Sequence, residues 1–101
     1  MHAEYLRDRI CEELDGACDY IKMAIELKSM DDITSKSFME MSAAELQHAT
    51  ELYRMFGAYY NKVTSAFKEP AEYLVKIKNF LGEEFPEKSA KILLMHEMYK
   101  K

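Results

Sequence analysis

Three side chains in this 101-residue sequence have the types and the spacing to hold a metal ion: Glu13, Glu45 and His48. Glu45 and His48 are three residues apart, which makes them neighbours on one side of a helix. They interrupt a seam of Thr34, Phe38, Met41, Glu45, His48, Leu52, Met55 and Tyr59. Its steps alternate four and three, the spacing that keeps one helix face against a partner. A carboxylate on a buried seam costs on the order of several kcal/mol unless something compensates it, and a metal ion would do so. Glu-x-x-His also arises by chance in helices, and a lone histidine on an apolar face is more often a hydrogen-bonded core residue. The pair alone therefore decides little.

A second seam carries the argument further. Leu6, Ile10, Glu13, Ala17, Tyr20, Ala24 and Leu27 repeat at four and three within residues 4–28, which contain no proline and one glycine. This spacing predicts an uninterrupted helix. Glu13 is the only acid on the seam, whereas Glu12, Asp15, Asp19 and Glu26 fall on its flanks. A stripe beside it, Cys11, Leu14, Cys18, Ile21 and Ile25, widens the apolar face, so this helix should pack on two sides. Ser29 to Asp32 form the break, with Asp31 or Asp32 placed to cap the next helix. That helix is predicted over residues 33–65, with Gly57 a weak point and a second stripe of Met39, Ser42, Leu46, Ala49, Tyr53, Phe56 and Tyr60. The short link makes the two helices an antiparallel hairpin. With its turn near Met30, Glu13 at 17 residues before stands nearly level with Glu45 and His48 at 15 and 18 after.

The remaining chain reads as smaller helices. Pro70 opens one over residues 70–81, with Tyr73, Leu74, Ile77, Phe80 and Leu81 apolar and Gly82 as its stop. Phe85-Pro86 opens another from Glu87 to Tyr99, using Ala90, Leu93, Leu94 and either Ile92 or Met98 as contacts. His96 and Glu97 lack the earlier spacing and read as an exposed pair near a frayed end. Three glycines, two prolines and an abundance of helix formers make the chain all-α. It is expected to be one domain over 1–101, a hairpin (1–65) plus one or two shorter C-terminal helices (66–101).

Composition narrows the partners. Fourteen basic against 18 acidic residues give a net charge of −4 without a basic face, which argues against nucleic acid. No apolar run approaches the roughly 18 residues of a membrane span, and the first residues lack a secretory pattern, so a soluble, cytoplasmic protein is expected. Cys11 and Cys18, seven apart and roughly 10 Å along one helix, are too far for a bridge within the chain. They read as reduced, buried thiols, with a cross-subunit disulfide as the other reading.

The ligand count bears on assembly. Carboxylate-bridged dinuclear sites in helical bundles take a Glu from each of two helices and a Glu-x-x-His from each of two others. This chain offers half of that set, so two copies about a two-fold axis would complete it. Carboxylate and imidazole donors suit iron, manganese and zinc alike. At Glu12-Glu13-Leu14 with Tyr20, and at Glu45-Leu46-Gln47-His48-Ala49 32 residues after Glu13, the sequence resembles the ferritin-like superfamily, and within it the half-length encapsulated ferritins. The resemblance covers roughly residues 6–60. It implies a ferritin-like four-helix bundle formed by a homodimer or higher even-numbered oligomer. It also implies a shared di-iron centre held by Glu13, Glu45 and His48, with Tyr20 beside it, and oxidation of Fe(II) for storage or detoxification. Glu12 and Asp15 would form an acidic approach. An enclosing protein shell would be a further partner by that resemblance, but no C-terminal cargo-loading peptide is evident and the chain after residue 66 runs further than in those relatives.

A competing reading is a metal-free helical interaction module, such as a phage or regulatory protein, which dimerises through its double stripes. It expects Glu13 and Glu45 to pair with Lys or Arg or to reach water. A purely structural zinc or manganese site is the third.

Overall fold

Except for Met1 and Lys68, all residues are described by the computed structural model, which shows three helices: α1 (His2–Leu27), α2 (Asp32–Ala66) and α3 (Glu72–Lys100). No strand occurs among the described residues, in keeping with an all-α chain. Between α1 and α2 the chain reverses within a few residues, with Met30 and Asp31 both donating their backbone N–H to the Leu27 carbonyl. Of the two aspartates in the turn, Asp31 is the cap. Its carboxylate accepts from the Thr34 backbone N–H at 3.0 Å and from the Thr34 hydroxyl at 2.7 Å, and these bonds hold its pKa below the ordinary value.

Residues at intervals of seven, six of eight of them small, line the hairpin's inner surface. Ala3, Ile10, Ala17 and Ala24 of α1 and Ser35, Ser42, Ala49 and Phe56 of α2 are all buried. The backbones come close enough for serine hydroxyls to reach across. Ser35 Oγ donates to the Ala24 carbonyl at 2.5 Å and Ser42 Oγ to the Ala17 carbonyl at 2.6 Å. Both pairs are symmetric about the Ser29–Met30 peptide, so they define one register. Carried outward, that register sets Glu13 opposite Leu46, flanked by Glu45 and His48.

The third helix runs parallel to α1. Lys88 bonds Asp15 at 3.3 Å, and Lys28 at the end of α1 donates to the Tyr99 carbonyl at the end of α3. Leu74, Ile77, Leu81 and Ile92 bury against α1 and α2, beside Leu14 and the half-buried Cys18, which confirms that α1 packs on two sides. The molecule is a rod, 57 × 18 × 15 Å. No described helix is long and apolar enough to cross a membrane.

Where two short helices were expected after residue 66, there is one of 29 residues. Gly82 does not stop it and Pro86 lies inside it. An interior proline removes a backbone hydrogen bond and costs about 3 kcal/mol. Packing on either side outweighs that cost: Leu81 is fully buried, Phe85 stacks on Tyr53 with centroids 4.3 Å apart, and Ile92 is buried one turn and a half beyond Pro86. The residue four before Pro86, whose carbonyl the ring crowds, is Gly82, and its backbone is the most adaptable available. Contact assignments change accordingly. Ile92, not Met98, is the buried choice, and Tyr73, Phe80, Leu93 and Leu94 are exposed.

His96 is also displaced from expectation. It is buried, and its Nε2 lies 2.9 Å from Ser42 Oγ. Because the Ser42 proton goes to the Ala17 carbonyl, His96 Nε2 is the donor. Burial, helped by Lys100 and opposed by Glu97, holds its pKa below the ordinary 6.5. The unfolded chain therefore takes up a proton near pH 6.5 that the folded chain refuses. This part of the stability is complete above that pH and is lost as the pH falls below it. Thermal unfolding followed from about pH 7.5 to about pH 5 should show a steeper decline for the native chain than for His96→Gln, whose side chain does not titrate; equal slopes would refute the assignment.

Candidate metal centre

The face of the hairpin turned away from α3 carries Glu13 from α1 and Glu45 and His48 from α2. Each offers a ligand atom, and these atoms all lie within 4.8 Å of one another. Among the described residues this is the one such group of three or more. It exists because α1 and α2 share the serine-defined register, and because Glu45 and His48 are a turn apart. Gly16 contributes room. A Cβ on Gly16 would lie 3.5 Å from Glu45 Oε2, so the Glu45 carboxylate rests directly over the α1 backbone.

The three groups differ in their surroundings. Glu13 is 7% exposed. Its Oε1 accepts from Arg9 Nη2 at 2.8 Å, whereas its Oε2 is buried without a hydrogen-bond donor and faces His48 Nδ1 at 3.5 Å. His48 is largely exposed, and Glu45 is half-buried with no hydrogen bond or ion pair to another described residue. Beside them opens a shallow cleft of about 370 Å³, bordered by Tyr5, Arg9, Glu51, Leu52 and Met55. Tyr5, Met41 and Met55 are exposed apolar residues around a charged centre.

Two observations fit a metal here. A buried carboxylate oxygen without a donor is costly to leave unsatisfied, commonly about 1–3 kcal/mol, and a cation relieves it. Donors bound at about 2.0–2.2 Å to one ion lie within about 4.4 Å of each other, so the cluster is close to ligating size. The donor set, two carboxylates and one imidazole, is half of the set expected for a dinuclear carboxylate centre.

The other anticipated residues lie elsewhere. Tyr20 is outside the cluster, two helical turns along α1, where its ring packs on Phe38 at 5.9 Å. Two tyrosines of α2 are engaged in ring contacts of their own: Tyr53 stacks on Phe85, and Tyr59 meets the ring of His2 at 6.1 Å. Asp15, expected in an acidic approach, turns to the opposite face and pairs with Lys88. Glu12 stays near and binds Arg9 Nη1 at 2.8 Å. Sequence reasoning missed Arg9, although its place three and four residues before Glu12 and Glu13 is the ordinary spacing of helical ion pairs. Cys11 and Cys18 are unbridged on the α3 side, and burial raises the Cys11 pKa.

No protein-family profile, curated sequence or solved structure matches the chain. The functional reading accordingly rests on the cluster itself.

Glu13→Gln tests the cost of the unsatisfied oxygen. In metal-free protein it removes the buried charge and places an amide donor near His48, at the expense of the Arg9 ion pair. The expected result is a gain of about 1 kcal/mol, seen as a rise in Tm of roughly 4–8 °C in a domain of this size. The substitution should also abolish any rise in Tm on adding metal.

Proposed function

We propose that Glu13, Glu45 and His48 bind a divalent transition-metal ion, and that two copies of the chain join through this face to form a dinuclear centre of the ferritin-like kind. The reaction that suits it is the oxidation of Fe(II) for storage or detoxification, in the cytoplasm. The observation that carries this reading is the buried Glu13 Oε2, without a donor and facing His48, in a group whose ligand atoms, with one from Glu45, all lie within 4.8 Å of one another. The exposed Tyr5, Met41 and Met55 around the cluster support a second copy seated there, since they supply apolar area to bury. A two-fold axis through this face would bring a second Glu, Glu, His set to the first.

Fe(II) is the substrate in this scheme. Two Fe(II) ions each give one electron, and dioxygen takes both with two protons to become hydrogen peroxide; peroxide itself is an alternative oxidant. Glu13, Glu45 and His48 of each subunit would hold the two ions, supplying carboxylate and imidazole donors. The carboxylates offset the charge that increases as Fe(II) becomes Fe(III). Manganese or zinc would be accepted by the same donors.

The metal-free interaction module has one specific observation in its favour, the Arg9–Glu13 pair, since that reading expects the buried acid to be met by a basic residue. The double substitution Glu45→Gln with His48→Leu separates the two. Protein purified without chelator should contain about one metal ion per chain, migrate as an even-numbered assembly and consume oxygen in an Fe(II)-dependent manner. The double variant should lose metal, oxygen consumption and most of the dimer. A variant of unchanged or higher stability that stays dimeric, from a parent without metal, would instead establish the interaction module. Bound metal without Fe(II)-dependent oxygen consumption would establish a structural site.

A further inference from the structure

Arg9 stands against the cluster and is held by two carboxylates at once. Nη2 donates to Glu13 Oε1 and Nη1 to Glu12 Oε2, each at 2.8 Å. The two acids differ: the Glu13 side chain is 9% exposed and that of Glu12 is 64% exposed. Arg9 itself is 40% exposed and borders the cleft that leads to Glu13 and His48. A guanidinium stays protonated at every accessible pH, so it cannot step aside by losing charge. It can only move.

We infer that Arg9 is a built-in counter-ion, which neutralises Glu13 in the metal-free protein and yields it to an arriving divalent cation while keeping hold of Glu12. This deepens the metal-binding reading above and rests on it. Glu13 needs a cation in either state, because one of its oxygens is buried with no donor and the other is satisfied by Arg9 alone. A divalent ion ligated by Glu13 would repel a guanidinium bonded to the same carboxylate. Glu12, adjacent in sequence and already bonded to the other arm of the fork, gives Arg9 an exposed partner to stay with. Its departure thus breaks one charge-assisted bond and leaves the second intact. The consequence is a threshold: metal affinity is set by the ligands less the strength of the Arg9–Glu13 bond.

The test is calorimetric titration of the full-length, metal-stripped chain with Zn(II), alongside Tm with and without Zn(II), for the native protein, Arg9→Met, Arg9→Lys, Glu12→Gln and the Arg9→Met/Glu12→Gln pair. Arg9→Met should bind Zn(II) about ten-fold more tightly, the usual scale of one charge-assisted bond, and should melt lower when metal-free. Arg9→Lys, with the charge but not the two-armed hold, should fall between, and it supplies the same comparison if Arg9→Met does not fold. Glu12→Gln should weaken binding in the native background, since Arg9 then has Glu13 alone, and should have no effect beside Arg9→Met. Equal or weaker Zn(II) binding by both Arg9 variants would overturn the counter-ion role while leaving the metal site standing. Weakening by Glu12→Gln that persists beside Arg9→Met would overturn the transfer to Glu12. Zn(II) binding to none of these proteins would overturn the metal-binding reading, and the inference with it.

Discussion

Two hydroxyl-to-carbonyl hydrogen bonds, Ser35 to Ala24 and Ser42 to Ala17, set the geometry from which the rest of this molecule follows. They form only where neither helix carries a large side chain, so they enforce a close approach of backbones. They also specify register, since a slip of one residue would turn the serines away from the carbonyls. That register places an acid of α1 between an acid and a histidine of α2. Had Ala17, Ala24, Ser35 and Ser42 been leucines, the helices would stand further apart and the three ligand groups with them. The same Ser42 oxygen receives His96, so one small side chain ties all three helices together.

The hairpin consequently has two unlike faces. One is clad by α3, whose aliphatic residues and His96 complete the core. The other presents the carboxylates, the imidazole and a border of exposed methionine and tyrosine. A carboxylate as buried as Glu13 is retained at a cost, and the structure meets that cost on one oxygen only. Buried charge of this kind is often dispensable for stability, which directs attention to chemistry at the second oxygen. Separation of the two faces also means that docking of α3 leaves the ligand side uncovered.

Much of this was legible in the sequence, for reasons that differ by element. The α1 seam repeats over many turns and is largely the buried face, so the hairpin, its turn near Met30 and the common level of Glu13, Glu45 and His48 followed from spacing. On α2, however, the neighbouring stripe of Ser42, Ala49 and Phe56 is buried instead, and Met41, His48 and Met55 of the expected seam are exposed. The cap fell on one of the two aspartates named for it. The third helix was less legible because Gly82 and Pro86 are strong local signals, whereas what overrules them, the burial of Leu81 in the core and the stacking of Phe85 on Tyr53, is tertiary. A continuous track through Leu74, Ile77, Leu81, Phe85, Ile92, His96 and Tyr99 was present in the sequence and would have favoured one helix. His96 was read as exposed because its partner, Ser42, lies 54 residues away and itself looked like a filler in an apolar stripe. Tyr20 matched a motif by position, but two turns of helix carry it away from the ligands.

The tight turn has a kinetic consequence. Contacts symmetric about Ser29–Met30 close loops that lengthen steadily with distance from the turn, and short loops cost the least entropy to close. The hairpin can therefore zip outward, with the Ser35 rung closing before the Ser42 rung and the ligand level following both. Such local connectivity is the kind associated with fast folding. Ions in the surrounding solution would thus encounter the three donors together only once most of the hairpin is already in place, and the nascent chain would offer them separate, weak ligands.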